Sequence, residues 1–116
     1  MKLIAEGRER DWYLADEWTT KSGLKAVVRF CKWKKSVKDI SSFVHDYYTG
    51  YVQVPEGVEP NENGIDVYGG VTFSKGKIEG FDGEWIGFDM DHLGDESTQS
   101  QEYAKEQCEK LAEQVK

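Results

Sequence analysis

The segment EWTTKSGLKAVVRFCKW, residues 17–33, holds the clearest strand pattern in the chain and decides the class of fold. Lys21, Ser22 and Gly23 form a turn sequence in its middle, because glycine adopts positive φ without a steric penalty. After the turn, apolar and charged residues alternate, as on a strand with one buried face. Lys25 and Arg29 fall on the polar face. The apolar face holds Leu24, Ala26, Val28 and Phe30. The pattern predicts a β-hairpin.

Three further segments predict strands, and the rest of the chain separates them. They are YYTGYVQVP, residues 47–55, IDVYGGVTF, residues 65–73, and EWIGFDM, residues 84–90. Residues 55–64 hold both prolines and predict a loop. Gly69 and Gly70 predict a bulge or bend within their strand. The SKGK sequence that follows predicts a turn, so that the last two strands pair with each other. The first ten residues show no clear period.

Two helices are predicted from spacings of three and four residues. The first covers residues 33–44, whose apolar face would hold Trp33, Val37, Ile40 and Val44. The second lies at the C-terminus, where Thr98 and Gln101 have capping-box spacing. Its apolar stripe consists of Ala104, Cys108, Leu111 and Val115.

These elements predict an α+β fold, with an antiparallel or mixed sheet. The C-terminal helix, and possibly one short helix, would pack on one face of it. The chain has 116 residues, which suits a single domain over residues 1–116.

The net charge of −7 and the presence of only two cysteines limit the kinds of partner and chemistry that we expect. A negative field repels phosphate backbones, so we expect no nucleic acid partner and favour a protein, particularly a basic one. The only dense basic patch consists of Lys32, Lys34, Lys35 and Lys38. Cys31 and Cys108 match no metal or redox motif and are expected to be reduced thiols. No segment resembles a signal peptide or a bilayer span, so we expect no membrane partner and a cytoplasmic location.

A cluster of carboxylates follows the last predicted strand and is the candidate ligand or interaction site. It contains Asp89, Asp91, His92 and Asp95. Carboxylates beside a histidine can bind a divalent cation or share acid–base work. The spacing fits neither an EF-hand nor an HExxH motif, which leaves metal binding open. The alternative interpretation is a solvated turn whose acids favour the N-terminus of the next helix.

An aromatic set is a second candidate for an interaction surface. It includes Tyr47, Tyr48, Tyr51, Tyr68 and Trp85. Alternation along strands would assign some of these rings to the core and others to the sheet face without a helix. Rings gathered on that uncovered face would form a binding patch.

Three segments in this order resemble a family of small uncharacterised bacteriophage and prophage proteins. They are TGYVQVP (49–55), IDVYGGVTFS (65–74) and WIGFDMDHLGD (85–95). The family pattern has GYV-x-VP, DVHGGLT-like and W-x-GFD-x-x-H-x-GD segments. Tyr68 stands where that pattern has histidine, which counts against a metal site shared with His92. The resemblance implies a phage or prophage gene in a bacterium, and so a location in the cytoplasm of a bacterial host cell, and it implies no particular chemistry.

The sequence therefore favours a non-enzymatic binding module that acts on a host or phage protein. It identifies no catalytic residue and no cofactor. The alternative is a small ligand-binding protein or enzyme that uses Asp89, Asp91, His92 and Asp95, with Tyr68 nearby and perhaps a divalent cation. A third hypothesis is a homo-oligomer formed through the uncovered sheet face.

Overall fold

The computed structural model describes residues 1–91 and 99–115. Its elements are β1 (Lys2–Glu6), β2 (Arg10–Thr19), β3 (Lys25–Trp33), α1 (Lys35–Lys38), β4 (Tyr47–Val54), a 3-10 turn (Glu62–Gly64), β5 (Phe73–Gly76), β6 (Glu84–Asp89) and α2 (Gln101–Gln114). Within the described ranges, the strands form one six-stranded antiparallel sheet in the order β1-β2-β3-β4-β6-β5. The fold is α+β, as the sequence predicts.

The hairpin of β2 and β3 is confirmed, with its turn at the predicted place. Gly23 has a φ of 91°, which glycine adopts without strain. The Thr20 hydroxyl donates to the Leu24 carbonyl oxygen at 2.9 Å and accepts from the Leu24 N–H at 3.1 Å. These two bonds close the turn and fix the register in which β2 and β3 pair.

Helix α2 packs against β3 and β4 on one face of the sheet. The predicted stripe of Ala104, Cys108, Leu111 and Val115 is buried. The helix begins at Gln101, and its N-cap is Ser100, whose hydroxyl accepts from the Tyr103 N–H at 3.0 Å. The predicted capping box is therefore wrong about where the helix starts, and Thr98 itself lies outside the described residues.

The main core lies between α2 and the central strands. Val28, Val52, Ile86 and Phe88 are at most 1% exposed and belong to the same cluster as the α2 stripe. Gly50 makes close packing possible here. A Cβ at this position would lie 2.5 Å from the Phe88 ring and 2.7 Å from Cys108 Sγ. A side chain at position 50 would push α2 away from the sheet.

The opposite sheet face, which carries Val27, Tyr51 and Trp85, is called here the open face. Those three side chains are buried with Ile78, which comes from the loop between β5 and β6. Two side chains hold this loop in place. Gln53 Nε2 and Trp85 Nε1 both donate to the Asp82 carbonyl oxygen, at 3.1 Å and 3.0 Å. The open face is thus partly covered by residues 77–83.

The predicted helix over residues 33–44 is wrong. Only Lys35–Lys38 are helical, and none of them is buried. Trp33 is the last residue of β3, where it pairs with Arg10 and its N–H donates to the Asp46 carboxylate at 2.9 Å. Ile40, predicted to face the core, is 86% exposed. Strand pairing fixes the first residue of the expected helical face, and Val37 and Val44 are only half-buried, so the predicted face does not form a continuous buried stripe.

Two further boundaries differ from the prediction. Residues 2–6, which show no clear period, form strand β1. Residues 65–72 form a loop, and β5 starts at Phe73 and includes part of the predicted SKGK turn. The N–H groups of Asp66 and Tyr68 donate to Gln114 and Gln107 of α2 instead of a neighbouring strand. Because these backbone bonds are satisfied by the helix, the segment does not need strand pairing. The predicted pairing of β5 with β6 is confirmed.

Candidate functional site

Only part of the predicted carboxylate cluster lies within the described residues. Asp89 ends β6, and its Oδ1 accepts the Asp91 N–H at 3.0 Å. His45, which the sequence does not assign to the site, places Nε2 3.9 Å from Asp91 Oδ1. His92 and Asp95 lie outside the described residues. The described part of the cluster is therefore a pair of carboxylates with one imidazole beside it.

Tyr68 lies on the helix side of the sheet. Its N–H donates to Gln107 Oε1 at 2.9 Å, and its ring meets Tyr103 edge to face, with 5.5 Å between centroids. Asp89 follows buried Phe88, which faces α2, so strand alternation directs the Asp89 side chain to the open face. Tyr68 and Asp89 are thus on different sides of the sheet.

The described residues offer no complete metal site. Within 1–91 and 99–115, no group of three or more His, Cys, Asp and Glu side chains is placed to hold a metal ion. A site built on Asp89 and Asp91 would need further donors. None of the helices in these ranges has the length and apolar character needed to cross a bilayer.

The open face carries a diagonal stack of arginine and aromatic side chains. It consists of Trp33, Arg10, Trp12, Arg29, Tyr51 and Phe73, and we call it the arginine–aromatic stack. Arg10 Cζ lies 5.1 Å from the Trp33 ring centroid and 5.2 Å from that of Trp12. Arg29 Cζ lies 4.4 Å from Trp12 and 4.8 Å from Tyr51. Cation–π attraction is strongest where water is excluded, so these half-buried guanidinium groups link strands β2, β3 and β4. The Phe73 ring of β5 joins the stack through Tyr51, which it meets edge to face with 5.4 Å between centroids.

Hydrogen bonds fix both guanidinium groups of the stack. Arg10 Nη1 donates to the Tyr47 hydroxyl at 2.8 Å, and Arg29 Nη2 donates to the Tyr51 hydroxyl at 2.6 Å. Burial raises the pKa of Tyr47, which keeps its hydroxyl protonated. Burial also raises the pKa of the thiol of Cys31, which pairs with Tyr47 across strands β3 and β4. Tyr47 and Arg10 partly oppose that shift. The guanidinium groups in this half of the open face are thus hydrogen-bonded to other side chains of the same face.

The other half of the open face contains a groove with a volume of about 740 Å³. One wall is β1, at residues 2–4, and the other is the loop at residues 79–82. Its floor is apolar and consists of Leu14, Val27, Phe81 and Trp85. The volume lies in the range of ligand sites, and polar groups make up about half of the lining of the groove. The groove lies at the opposite end of β6 from Asp89, so it is separate from the predicted cluster.

Charged groups line the groove. They are the carboxylates of Glu17, Glu79 and Asp82 and the ammonium groups of Lys2 and Lys25. All five side chains belong to exposed residues, and none forms an ion pair among the described residues. They are available to a partner, and acidic groups are in the majority.

The sequence reveals the aromatic residues of the open face but not their arrangement. Tyr47, Tyr51 and Trp85 lie on the open face, while Tyr48 and Tyr68 pack on the helix side. The stack and the groove were missed. Alternation in β2 and β3 could have shown that Arg10, Trp12 and Arg29 share a face. The wall formed by β1 could not have been found, since that strand has no sequence signal.

No protein-family model matches the chain, and neither a curated protein nor a solved structure matches it. The resemblance to phage proteins remains a prediction. Function must therefore be argued from the geometry of the open face.

Proposed function

We propose that this chain is a non-enzymatic binding module of a bacteriophage or prophage, which acts in the bacterial cytoplasm by binding a segment of a host or phage protein. The groove on the open face carries this proposal. Its apolar floor suits an apolar side chain of the partner. Its carboxylates suit a neighbouring basic side chain, since like charges would be repelled.

The buried thiols support a non-enzymatic role. Burial raises the pKa of Cys108, and the pKa of Cys31 is raised as well. A cysteine nucleophile acts as the thiolate and needs an electropositive, accessible setting. Both thiols are fully buried, with 0% exposure, and both stay protonated. Neither meets the requirements of a catalytic nucleophile.

The basic patch supports the choice of a protein over nucleic acid. Lys34 pairs with Asp11 at 3.1 Å, and Lys35 pairs with Asp39 at 2.9 Å. Lys38 pairs with Asp46 at 2.9 Å. Three of its four lysines thus already have a carboxylate partner. A surface that binds a phosphate backbone needs several uncompensated cations.

Photo-crosslinking tests the proposal directly. Benzoylphenylalanine replaces Thr19, an exposed residue of the groove, and the matched control replaces Glu113, an exposed residue of α2. After irradiation in lysate of bacteria that carry the phage or prophage, we expect a discrete protein adduct at position 19 that is absent at position 113. Charge reversal by Glu17→Lys and Asp82→Lys should abolish it. Equal adducts at both positions, or none at either, would contradict the proposal.

The contact between His45 and Asp91 favours a second candidate, a cation or ligand site at the end of β6. It would use Asp89 and Asp91, with His92 and Asp95 as further donors. Isothermal titration with magnesium, manganese, calcium and zinc tests it. A heat of binding that the wild type shows and that His45→Ala and Asp91→Asn lack would support this candidate. The absence of any heat of binding with all four cations would contradict it.

A further inference from the structure

The two arginines of the arginine–aromatic stack carry positive charges that no carboxylate side chain neutralises within the described ranges. Neither Arg10 nor Arg29 forms an ion pair there, although the chain contains 22 acidic residues. A guanidinium group has five N–H donors. The Tyr47 and Tyr51 hydroxyls each accept one hydrogen bond from these donors. Other donors of both groups are thus left to solvent or to a ligand.

Buried polar atoms without a hydrogen-bond partner lie in and beside the same stack. They are Arg29 Nε, Trp33 Nε1 and Thr49 Oγ1. Thr49 is only 4% exposed, and it pairs with Arg29 across β3 and β4. Because Tyr51 lies on the open face two positions further along β4, the Thr49 side chain lies on that face beside Arg29. Unpaired buried polar groups are rare in native proteins, and each of them calls for a water, an ion or a ligand as its partner.

The stack presents its arginines in an orderly way. Arg10 lies over the rings of Trp12 and Trp33, and Arg29 lies over those of Trp12 and Tyr51. The N–H groups of a guanidinium lie in its own plane, so rings above and below do not block them. Both arginines, Trp12 and Trp33 are half-buried, which leaves part of the stack open to a ligand.

The chemistry of these groups selects a ligand with a single negative charge. Guanidinium and indole N–H groups only donate hydrogen bonds, and a hydroxyl can donate as well. A planar carboxylate accepts two parallel bonds from a guanidinium group. Asp89 pairs with Thr49 on the other side from Arg29, and the net charge of the chain is −7. Both repel a doubly charged phosphate more strongly than a carboxylate.

We propose that the arginine–aromatic stack binds a carboxylate group, with Arg10 and Arg29 as the charged donors and Thr49 as a hydroxyl donor beside them. This site goes beyond the proposed function, because the groove lies in the other half of the open face and suits apolar and basic groups. The carboxylate is supplied either by the protein segment that the groove binds or by a free small monocarboxylate. Both sources share the same chemistry at the stack, and the experiments below distinguish them.

Nuclear magnetic resonance with acetate as the probe tests the site directly. The side-chain N–H signals of Arg29 Nε and Trp33 Nε1 are followed at neutral pH while sodium acetate is added. We expect both signals to shift and to saturate, because each of these donors gains an acceptor or a charged neighbour. The Trp85 Nε1 signal is the internal control, since that N–H already donates to the Asp82 carbonyl oxygen. Sodium chloride at equal concentration should not reproduce the shifts.

Two variants separate binding from folding. Arg10→Gln keeps an amide donor for the Tyr47 hydroxyl but removes the charge, so the dissociation constant for acetate should rise about tenfold. Thr49→Val removes the hydroxyl and should also weaken acetate binding. It should not lower the midpoint of urea unfolding, because this hydroxyl has no partner in the free protein. Arg8→Gln, at an exposed arginine, should bind acetate like the wild type. Melting curves will confirm that each variant folds.

Three results would overturn the inference. The first is that acetate shifts the signals no more than chloride does. The second is that Arg10→Gln and Thr49→Val, both folded, bind acetate as tightly as the wild type. The third is that inorganic phosphate binds more tightly than acetate, which would contradict the preference for a single negative charge.

The crosslinking test identifies the source of the carboxylate. Arg10→Gln is combined with benzoylphenylalanine at position 19. Loss of the protein adduct assigns the carboxylate to the bound segment, whereas an adduct that persists assigns it to a free monocarboxylate. The two proposals can fail separately. Saturable acetate shifts without any adduct would support the carboxylate site and contradict the proposed function, and an adduct without acetate shifts would do the reverse.

Discussion

The guanidinium carbon of Arg29 lies 4.4 Å from the centroid of the Trp12 ring. The same side chain donates a hydrogen bond of 2.6 Å to the Tyr51 hydroxyl. Arg29 comes from β3, so a single side chain joins its two neighbouring strands on the open face. This cross-link adds polar contacts between strands to the apolar packing of the open face.

Arg29→Lys should therefore destabilise the fold although it keeps the positive charge. Lysine lacks the planar guanidinium that stacks on Trp12 and at the same time reaches Tyr51. We expect a loss of about 1–2 kcal/mol in the free energy of unfolding, measured with urea. Arg8→Lys is the matched control, because Arg8 is exposed. Equal effects of the two substitutions would show that the stack contributes nothing.

Stability should fall in alkaline solution. Burial raises the pKa values of the two thiols and of Tyr47 and Tyr48. Each of these groups is neutral when protonated, and the folded state holds the proton more tightly than the unfolded state. Their contribution is complete at a pH about one unit below the ordinary pKa of a thiol, 9.0, and is lost as the pH rises through and above that value.

Urea unfolding at a series of pH values checks this expectation. The midpoint should decrease between about pH 8 and about pH 10.5. Tyr48→Phe removes one of the titrating groups and should make the decrease shallower. A midpoint that is constant or rises over this range would contradict the prediction.

Gly50→Ala should disturb the contact between the sheet and α2. The added methyl group would meet the Phe88 ring and Cys108 Sγ at less than van der Waals distance. We expect a cost of about 1–3 kcal/mol, measured by urea unfolding. Gly76→Ala is the control, since the nearest atom to a Cβ there is 3.4 Å away. If the control costs as much, then contact with Phe88 and Cys108 does not explain the effect.

Ser100→Ala should weaken the start of α2. It removes the acceptor for the Tyr103 N–H and should cost about 1 kcal/mol. Ser100→Asp, which restores an acceptor, should recover most of the loss. Ser74→Ala, on an exposed strand position, serves as the control. A full loss in Ser100→Asp would show that the hydroxyl has a role other than capping.

Short-range patterns predicted the elements that carry a strong period. Residues 17–33 alternate between apolar and charged positions, and the two strands formed as expected. The stripe of α2 was also correct, because spacings of three and four residues commit a helix to one buried face. The helix over residues 33–44 failed for a related reason. Trp33 pairs with Arg10 in the sheet. The spacing of apolar residues gives no information on whether strand pairing will compete with helix formation.

The candidate site likewise combines residues that the sequence identified with a residue that only the fold brings close. The sequence placed Asp89 and Asp91 at a strand end and offered Tyr68 as their neighbour. Tyr68 instead lies next to α2, where its N–H donates a hydrogen bond to the Gln107 side chain. His45, 46 positions from Asp91 along the chain, contacts its carboxylate. Proximity of this kind depends on the strand order and cannot be predicted from spacing.

The sequence by itself determined the acidic balance, which is a sum over all residues. It also predicted the α+β class, the hairpin, the final strand and the final helix, because each of these elements depends on residues that are close together in the chain. The tertiary structure decided which residues lie together on the candidate surfaces. Glu109 of α2 accepts hydrogen bonds from Trp18 Nε1 and the Lys21 N–H, and so fixes the helix to the hairpin. The stack and the groove arise from strands that are distant in sequence. Their contacts depend on the order of the strands in the sheet, which short sequence patterns do not specify.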